Sequence, residues 1–245
     1  MRRRFFVDRF DSNCAVLRGE SAEHLGRVLR AEPGQLYELS DGSRAWLARV
    51  ERVALSKRGE NRIEFALLEP IPAREPSLQI QLLLSLVKFD RFEWCLEKAT
   101  ELGAGRIIPL AAARSDKPLI AAAGKRRERW QRILLESAQQ SRRLRPPELA
   151  PVAPPEGAFD ASSAALKILL SERQGAPALR TARAAAGRPA TASLAIGPEG
   201  GWTDEEISAA RSAGFAEASL GENILRTETA VIASLAILGF ALTIS

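Results

Sequence analysis

The spacing of apolar positions divides this chain into two parts. Up to about residue 72 apolar and polar residues alternate, the period of strands with one buried face. Leu36-Tyr37-Glu38-Leu39-Ser40 and Ala45-Trp46-Leu47-Ala48-Arg49-Val50 flank Asp41-Gly42, the pattern of a β-hairpin. Arg62-Ile63-Glu64-Phe65-Ala66-Leu67-Leu68 alternates as a further strand. One helix interrupts the pattern: Ser21 is placed to cap it, and Leu25, Val28 and Leu29 form its buried stripe. Pro70, Pro72 and Pro76 mark a linker.

From Gln79 the pattern becomes alternating strand and helix, which predicts a mostly parallel sheet. Ile80 to Val87 reads as an apolar strand. Arg91 to Leu102 reads as a helix with Phe92, Cys95, Leu96, Ala99 and Leu102 on one face and Gly103 at its C-terminal cap. Ile107-Ile108-Pro109-Leu110 is a short strand, and Lys125 to Arg145 a long basic helix stopped by Pro146-Pro147. Leu166 to Leu170 and Leu194 to Ile196 read as buried strands, and the Ala/Pro stretch from Ala150 to Ala165 as surface connection. The expected class is α/β with a smaller β-rich domain in front, divided into residues 1–72 and 73–245.

Composition narrows the function. A chain of 245 residues with 46% hydrophobic content buries a sizeable core. The net charge of +5 comes mostly from arginine, whose planar fork matches two phosphate oxygens, so nucleic acid is a candidate partner. Cys14 and Cys95 are far apart and without metal-ligand spacing, as expected of reduced thiols in a cytoplasmic protein. Met1-Arg2-Arg3-Arg4-Phe5-Phe6 lacks the apolar region of a signal peptide. The longest apolar stretch, Val231 to Ile244, is too short to span a bilayer, so a soluble protein is expected. His24 is the only histidine and has no cysteine pair nearby, so no metal site is expected.

Candidate chemistry lies mainly in two glycine-rich loops near the end. Gly197-Pro198-Glu199-Gly200-Gly201 follows a strand, and Thr203 with Glu206 forms a capping-box pattern for the next helix. The loop falls outside the carboxyl end of a strand, where open α/β sheets bind ligands, although an ordinary tight turn accounts for it equally well. The second loop, Leu220-Gly221-Glu222-Asn223-Ile224-Leu225, leads to Arg226-Thr227-Glu228-Thr229 and the final helix. Its apolar pair either walls a nucleotide-like ring or plugs the core; two such loops together favour a site. Leu169-Leu170-Ser171-Glu172 is a third strand end. His24, Arg27 and Arg30 recur every third residue on the polar side of the short helix, as a phosphate contact or a solvated face. Most arginines of the basic helix read as a solvated face, with Gln139, Gln140, Ser141 and Arg142 turned to a groove. No Ser-His-Asp set, P-loop or GxGxxG motif is present.

These residues resemble a known family. The two loops, through Leu225-Arg226-Thr227-Glu228-Thr229-Ala230, look like the paired cofactor loops of the 16S ribosomal RNA (uracil-N3) methyltransferases of the SPOUT, or α/β-knot, superfamily. His24-Leu25…Val28-Leu29-Arg30, Lys98-Ala99-Thr100-Glu101-Leu102-Gly103, Arg114-Ser115 and Gln139-Gln140-Ser141-Arg142 fit the same family, in order and over nearly the whole chain. The resemblance implies a PUA-like RNA-binding β-barrel at the N-terminus and a trefoil-knotted methyltransferase domain behind it. It further implies a homodimer and methylation of a uridine N3 in 16S rRNA, within the 30S subunit. S-adenosylmethionine would be held by Leu170, Ser171, Gly197, Pro198, Glu199, Gly200, Gly201, Leu220, Gly221, Asn223, Ile224, Leu225 and Thr229. Arg226 would stabilise the deprotonating base, with Glu199 and Glu101 as proton acceptors; His24, Arg27, Arg30, Lys88, Arg91, Arg114 and Arg142 would contact RNA. Asn223 and Asp116 depart from the family pattern, where a basic and an apolar residue are usual. A methyltransferase of another RNA, and a non-catalytic RNA-binding assembly factor, are the alternatives.

Overall fold

The computed structural model describes residues 3–56, 60–72, 76–185 and 187–240. It divides into two compact units, Met1–Glu75 with Ala138–Pro146, and Pro76–Ser137 with Pro147–Ser245.

The first unit is a six-stranded sheet. Its elements are β1 (Arg4–Phe6), β2 (Phe10–Asp11), β3 (Cys14–Arg18), α1 (Gly19–Glu23) running into a π-helical stretch (His24–Val28), β4 (Leu36–Ser40), β5 (Ala45–Ala54) and β6 (Arg62–Ile71). The strand order is β1-β4-β5-β6-β3-β2, with β1 parallel to β4 and the other pairs antiparallel. Ile63, Phe65 and Leu67 point inward from β6 in strict alternation and meet Phe5, Leu17, Leu25, Leu39 and Val50. The predicted hairpin forms as β4 and β5, closed by Asp41–Arg44. The Asp41 carboxylate accepts the backbone N–H groups of Ser43 (2.9 Å) and Arg44 (2.8 Å), and Gly42 has φ +87°.

Three expectations in this unit are corrected. Ser21 is not a cap: the helix begins at Gly19 directly from β3, its N-cap is Arg18, and Ser21 lies inside the first turn. Val28 is 64% exposed, because the wider π-helical turn rotates it off the face that buries Leu25. Pro70 is not linker but part of β6, opposite Trp46. β3 pairs with β6 only as far as Ala66, so the missing N–H of Pro70 costs no ladder bond on that side. Residues 73–75 of the expected linker lie outside the described residues.

The second unit is a six-stranded parallel sheet between two layers of helices. In chain order it comprises β7 (Gln79–Ser85), α2 (Phe89–Glu101), β8 (Ala104–Leu110), α3 (Lys117–Gln140), β9 (Glu148–Leu149), α4 (Pro155–Asp160), β10 (Leu166–Leu170), α5 (Leu179–Ala185), β11 (Thr191–Ile196), α6 (Asp204–Ser212), β12 (Ala216–Ala218) and α7 (Thr227–Phe240). The strand order is β12-β10-β11-β7-β8-β9, and every pair is parallel. Alternate residues of one strand enter different cores. Leu82, Leu84, Ile168, Leu194 and Ile196 pack with Phe92, Trp130, Val231 and Leu235, whereas Leu83, Leu169 and Ala195 pack with Phe159, Trp202 and Ile207. Burial on both faces is why these strands read as continuous apolar runs.

Two expected elements differ here. α3 begins at Lys117, because Pro118 at the second helical position costs no helical bond, and it ends at Gln140, not Arg145, before Arg142 at φ +54°. The stretch from Ala150 to Ala165 is not all surface connection: Pro155 opens α4, whose Ala158 and Phe159 are buried. The part of the last apolar stretch beyond residue 240 lies outside the described residues.

Candidate functional site

The carboxyl ends of β10, β11 and β12 surround a cavity of about 640 Å³ within the second unit. Leu170, Ser171, Glu172 and Arg173 enter it from β10, Gly197 to Glu199 with Gly201 and Trp202 from β11, and Leu220, Gly221 and Asn223 to Thr227 from β12. One strand-end turn is common; three from adjacent strands around one cavity are the arrangement by which open parallel sheets bind ligands.

The β11 loop is tightly built. Gly201 N–H donates to Pro198 O at 2.8 Å, and Gly201 has φ +70°, a conformation that side chains with a Cβ resist. Trp202 folds back over Gly197 and donates its Nε1–H to Leu170 O at 2.9 Å, so one indole joins the β10 and β11 loops. Thr203 caps α6 in a complete capping box with Glu206. In the β12 loop Ile224 is 78% and Leu225 36% exposed, so this pair does not plug the core. Two apolar side chains held in water beside a cavity are available to cover an apolar ligand face. Arg226 follows them, exposed, and its guanidinium has no partner among the described residues.

Charge is concentrated at the rim. Arg91 of α2 forms an ion pair with Glu199, and Arg173 pairs with Asp204 at 2.8 Å. Of the residues expected to hold a cofactor, Leu170, Ser171, Gly197, Pro198, Glu199, Gly201, Leu220, Gly221, Asn223, Ile224 and Leu225 line the cavity, and Gly200 and Thr229 do not. Of the expected chemical residues, Arg226 and Glu199 line it. Glu101 does not: it ends α2 and accepts from Lys98 Nζ at 2.9 Å, and the hydrogen bonds that Lys98 donates to Glu97 first and Glu101 second hold its ammonium above its ordinary value. Arg91 and Arg114 line the cavity, whereas Lys88, exposed before α2, does not.

His24, Arg27, Arg30 and Arg142 belong to the first unit. Arg27 bonds Ser56 O at 3.2 Å, Arg30 is exposed with φ +52°, and Arg142 lies 3.5 Å from Glu38, which also pairs with Arg4 at 2.9 Å. Along α3 the charges act mainly within the protein: Arg127 bonds Leu149 O and Ala150 O, and Arg126 and Arg129 flank Glu93. Sequence reasoning passes over Arg173, Trp202 and Asp204. The aromatic directly after Gly200-Gly201 is a usable signal for Trp202; the ion pair of Arg173 has none. Among the described residues no cluster of His, Cys, Asp or Glu is suited to a metal ion, and no helix is long and apolar enough to cross a membrane.

Comparison with known proteins agrees with this geometry. Residues 74–239 match the RNA methyltransferase domain family. The chain is 37% identical over 219 residues to ribosomal RNA small subunit methyltransferase E of Synechocystis sp., covering 87% of this chain and 68% of that one. It is 31% identical to the protein of the same name from Bacillus subtilis, over 91% of this chain and 88% of that one. Among solved structures, ribosomal RNA small subunit methyltransferase E of Neisseria gonorrhoeae bound to S-adenosyl methionine superposes with a TM-score of 0.85 at 31% identity, covering 98% of each chain. A parallel sheet with its cavity at the strand ends, a family match over most of the chain and relatives of one name lead to one assignment: this chain belongs to the RNA methyltransferase family, among the ribosomal RNA small subunit methyltransferases E.

Proposed function

We propose that this chain binds S-adenosylmethionine in the three-loop cavity and directs its methyl group to N3 of one uridine in 16S ribosomal RNA. The observation that carries the reading is the convergence of the β10, β11 and β12 loops on one cavity beside the exposed pair Ile224 and Leu225. The cavity suits the cofactor. Gly197 and Gly201 let the β11 loop pack closely against Trp202 and Glu172, and Leu170, Leu220, Ile224 and Leu225 offer apolar surface to an adenine ring. Ser171, Pro198, Glu199, Gly221 and Asn223, which line the same cavity, complete the proposed cofactor set.

When bound, S-adenosylmethionine supplies an electrophilic methyl on a sulfonium. The protein's share is alignment and management of the uracil N3 proton. Arg226, a cation at the cavity without a partner among the described residues, stabilises the negative charge that develops on the uracil oxygens as N3 loses its proton. Glu199 is the better placed proton acceptor, because it lines the cavity and Glu101 does not. His24, Arg27, Arg30, Lys88, Arg91 and Arg142 are proposed RNA contacts, with the six-stranded first unit as a PUA-like barrel and residues 73–245 as the knotted methyltransferase domain. The active form is proposed to be a cytoplasmic homodimer acting on the assembled 30S particle.

Labelled S-adenosylmethionine offered with unmodified 30S particles and with naked 16S RNA, followed by mass identification of the product nucleoside, tests the reading. 3-Methyluridine at one site is expected; another methylated nucleoside, or none, refutes it. Arg226→Ala is expected to lower turnover by about two orders of magnitude with cofactor binding intact; near-normal turnover removes Arg226 from the mechanism.

A further inference from the structure

β8 ends at Leu110, and the chain turns through Ala111 to Ser115. This turn is anchored: Ser115 Oγ–H donates to Leu86 O at 2.8 Å, and Ser115 N–H to Ala112 O at 3.0 Å. From it Arg114 reaches across to the β11 loop. Its Nη1–H group donates to Gly200 O at 2.8 Å and to Trp202 O at 3.2 Å. The stem of the same side chain lies so close to Gly200 that a Cβ there would stand 3.2 Å from Arg114 Cβ.

A second strut runs the other way. Glu206 is 2% exposed, and its Oε2 accepts Thr203 N–H at 2.9 Å, as a capping box requires. Its other oxygen, Oε1, accepts Ala113 N–H at 2.8 Å. A capping box needs only one carboxylate oxygen; here the second is committed to the turn that carries Arg114.

The two struts meet on the Trp202–Thr203 peptide group, and a turn bond fixes the Gly200–Gly201 group beside it. The carbonyl of Gly200 shares a peptide plane with the N–H of Gly201, which is bonded to Pro198 O at 2.8 Å. The carbonyl of Trp202 shares a plane with the N–H of Thr203, which is bonded to Glu206. Arg114 thus holds the free end of two planes whose other ends are already fixed. A plane pinned at both ends cannot rotate, and these planes set where the backbone groups of the glycine loop point. A guanidinium suits the task, because a charged donor on a carbonyl is stronger than a neutral one and its fork is rigid.

We infer that Arg114 is a positioning residue for the glycine loop, braced through Ala113 by Glu206, and not a nucleic-acid contact. The inference rests on reading this loop as part of the S-adenosylmethionine site.

Arg114→Ala and Glu206→Gln in the full-length chain test it. Glutamine has one carbonyl for two N–H groups, so it keeps one of these hydrogen bonds and turns an amino group toward the other. In the ligand-free proteins, hydrogen exchange across residues 197–203 is expected to rise in both variants. Calorimetry is expected to show S-adenosylmethionine affinity lowered about ten-fold or more, partly recovered in Arg114→Lys. Affinity for naked 16S RNA at fixed salt stays within about two-fold of the parent. Unchanged exchange in Arg114→Ala overturns the inference, as does a loss of RNA affinity with cofactor affinity intact. If Glu206→Gln fails to fold, Arg114→Ala decides alone, because that side chain is exposed. If the parent protein itself binds no S-adenosylmethionine, the cofactor reading fails, and the exchange comparison still decides the brace.

Discussion

Gly197→Ala adds a single methyl group at the most crowded glycine of the cavity. The new Cβ would stand 3.1 Å from Cε2 and from Nε1 of Trp202, and 3.3 Å from Cδ2. Those distances lie below ordinary van der Waals contact, so the indole must retreat by a few tenths of an ångström. Trp202 has little room: it is 7% exposed, meets Phe159 edge-on at 5.9 Å, and is tied through Nε1–H to Leu170 O at 2.9 Å. Overpacking of this kind costs about 1–3 kcal/mol. Weakening the indole hydrogen bond adds about 0.5–1.5 kcal/mol. The total, about 1.5–4.5 kcal/mol, is smaller than the ~5–15 kcal/mol stability of ordinary domains, so the variant folds. At ~2–4 °C per kcal/mol, Tm is expected to fall by about 3–18 °C. Cofactor affinity is expected to fall about ten-fold or more, because the indole joins two of the three loops. Thermal unfolding followed by circular dichroism and calorimetric titration with S-adenosylmethionine measure both. Gly124→Ala is the control: nothing lies within 4 Å of its added Cβ, and inside α3 it is expected to be neutral or to stabilise by up to about 1 kcal/mol. A Gly197→Ala protein with unchanged Tm and unchanged affinity refutes the packing argument.

Cys95 is buried, and burial first, then the nearby Glu228 carboxylate, pushes its thiol up to about 12. A thiol reagent at pH 8 is therefore expected to label exposed Cys14 alone in the native protein, and Cys95 only after unfolding; mass spectrometry of tryptic peptides reads the difference. Burial pushes the Asp41 carboxyl up, but the hydrogen bonds from the Arg44 backbone, the Ser43 side chain, the Ser43 backbone and the Arg44 side chain outweigh it and hold the group below 3.8. Its folded value is the depressed one, so its contribution is fully present above 3.8 and fades as pH falls through the lower folded value. Asp41→Asn is expected to lower stability at pH 7 by about 1 kcal/mol, a gap that narrows in denaturant titrations taken toward pH 3. Thr203→Ala removes the hydroxyl that accepts Glu206 N–H at 3.2 Å and is expected to cost about 1 kcal/mol in the same assay.

Local chemistry made much of this architecture readable. The alternation of Ile63, Phe65 and Leu67, the turn residues Asp41-Gly42, and the spacing of Phe92, Cys95, Leu96 and Ala99 each identify an element from its own residues. The glycine loop at residue 197 and the capping pair Thr203 and Glu206 are equally local. What escaped sequence reasoning depends on distant partners or on a weak pattern. The first turns of α3 are Ala-rich and carry no apolar period, and α4 begins at a proline that reads as a breaker. The π-helical stretch keeps a helical composition while shifting which residue faces inward, so Val28 looked buried and is not. Within the site, the loops were visible but their scaffold was not. The two carbonyl partners of Arg114 lie far along the chain, and Arg142 shares Glu38 with Arg4 across a similar separation, so no local pattern announces either contact.

The cavity draws its walls from β10, β11 and β12, three strands reached by separate helical crossovers. None of the three loops brings a binding surface by itself. A chain with only part of that sheet assembled therefore offers a ligand nothing to hold, and the ligand cannot act as a template for folding. Its free energy is released only in a chain where all three strands have docked. A molecule gripping all three loops therefore favours the closed sheet over every partly opened form of it.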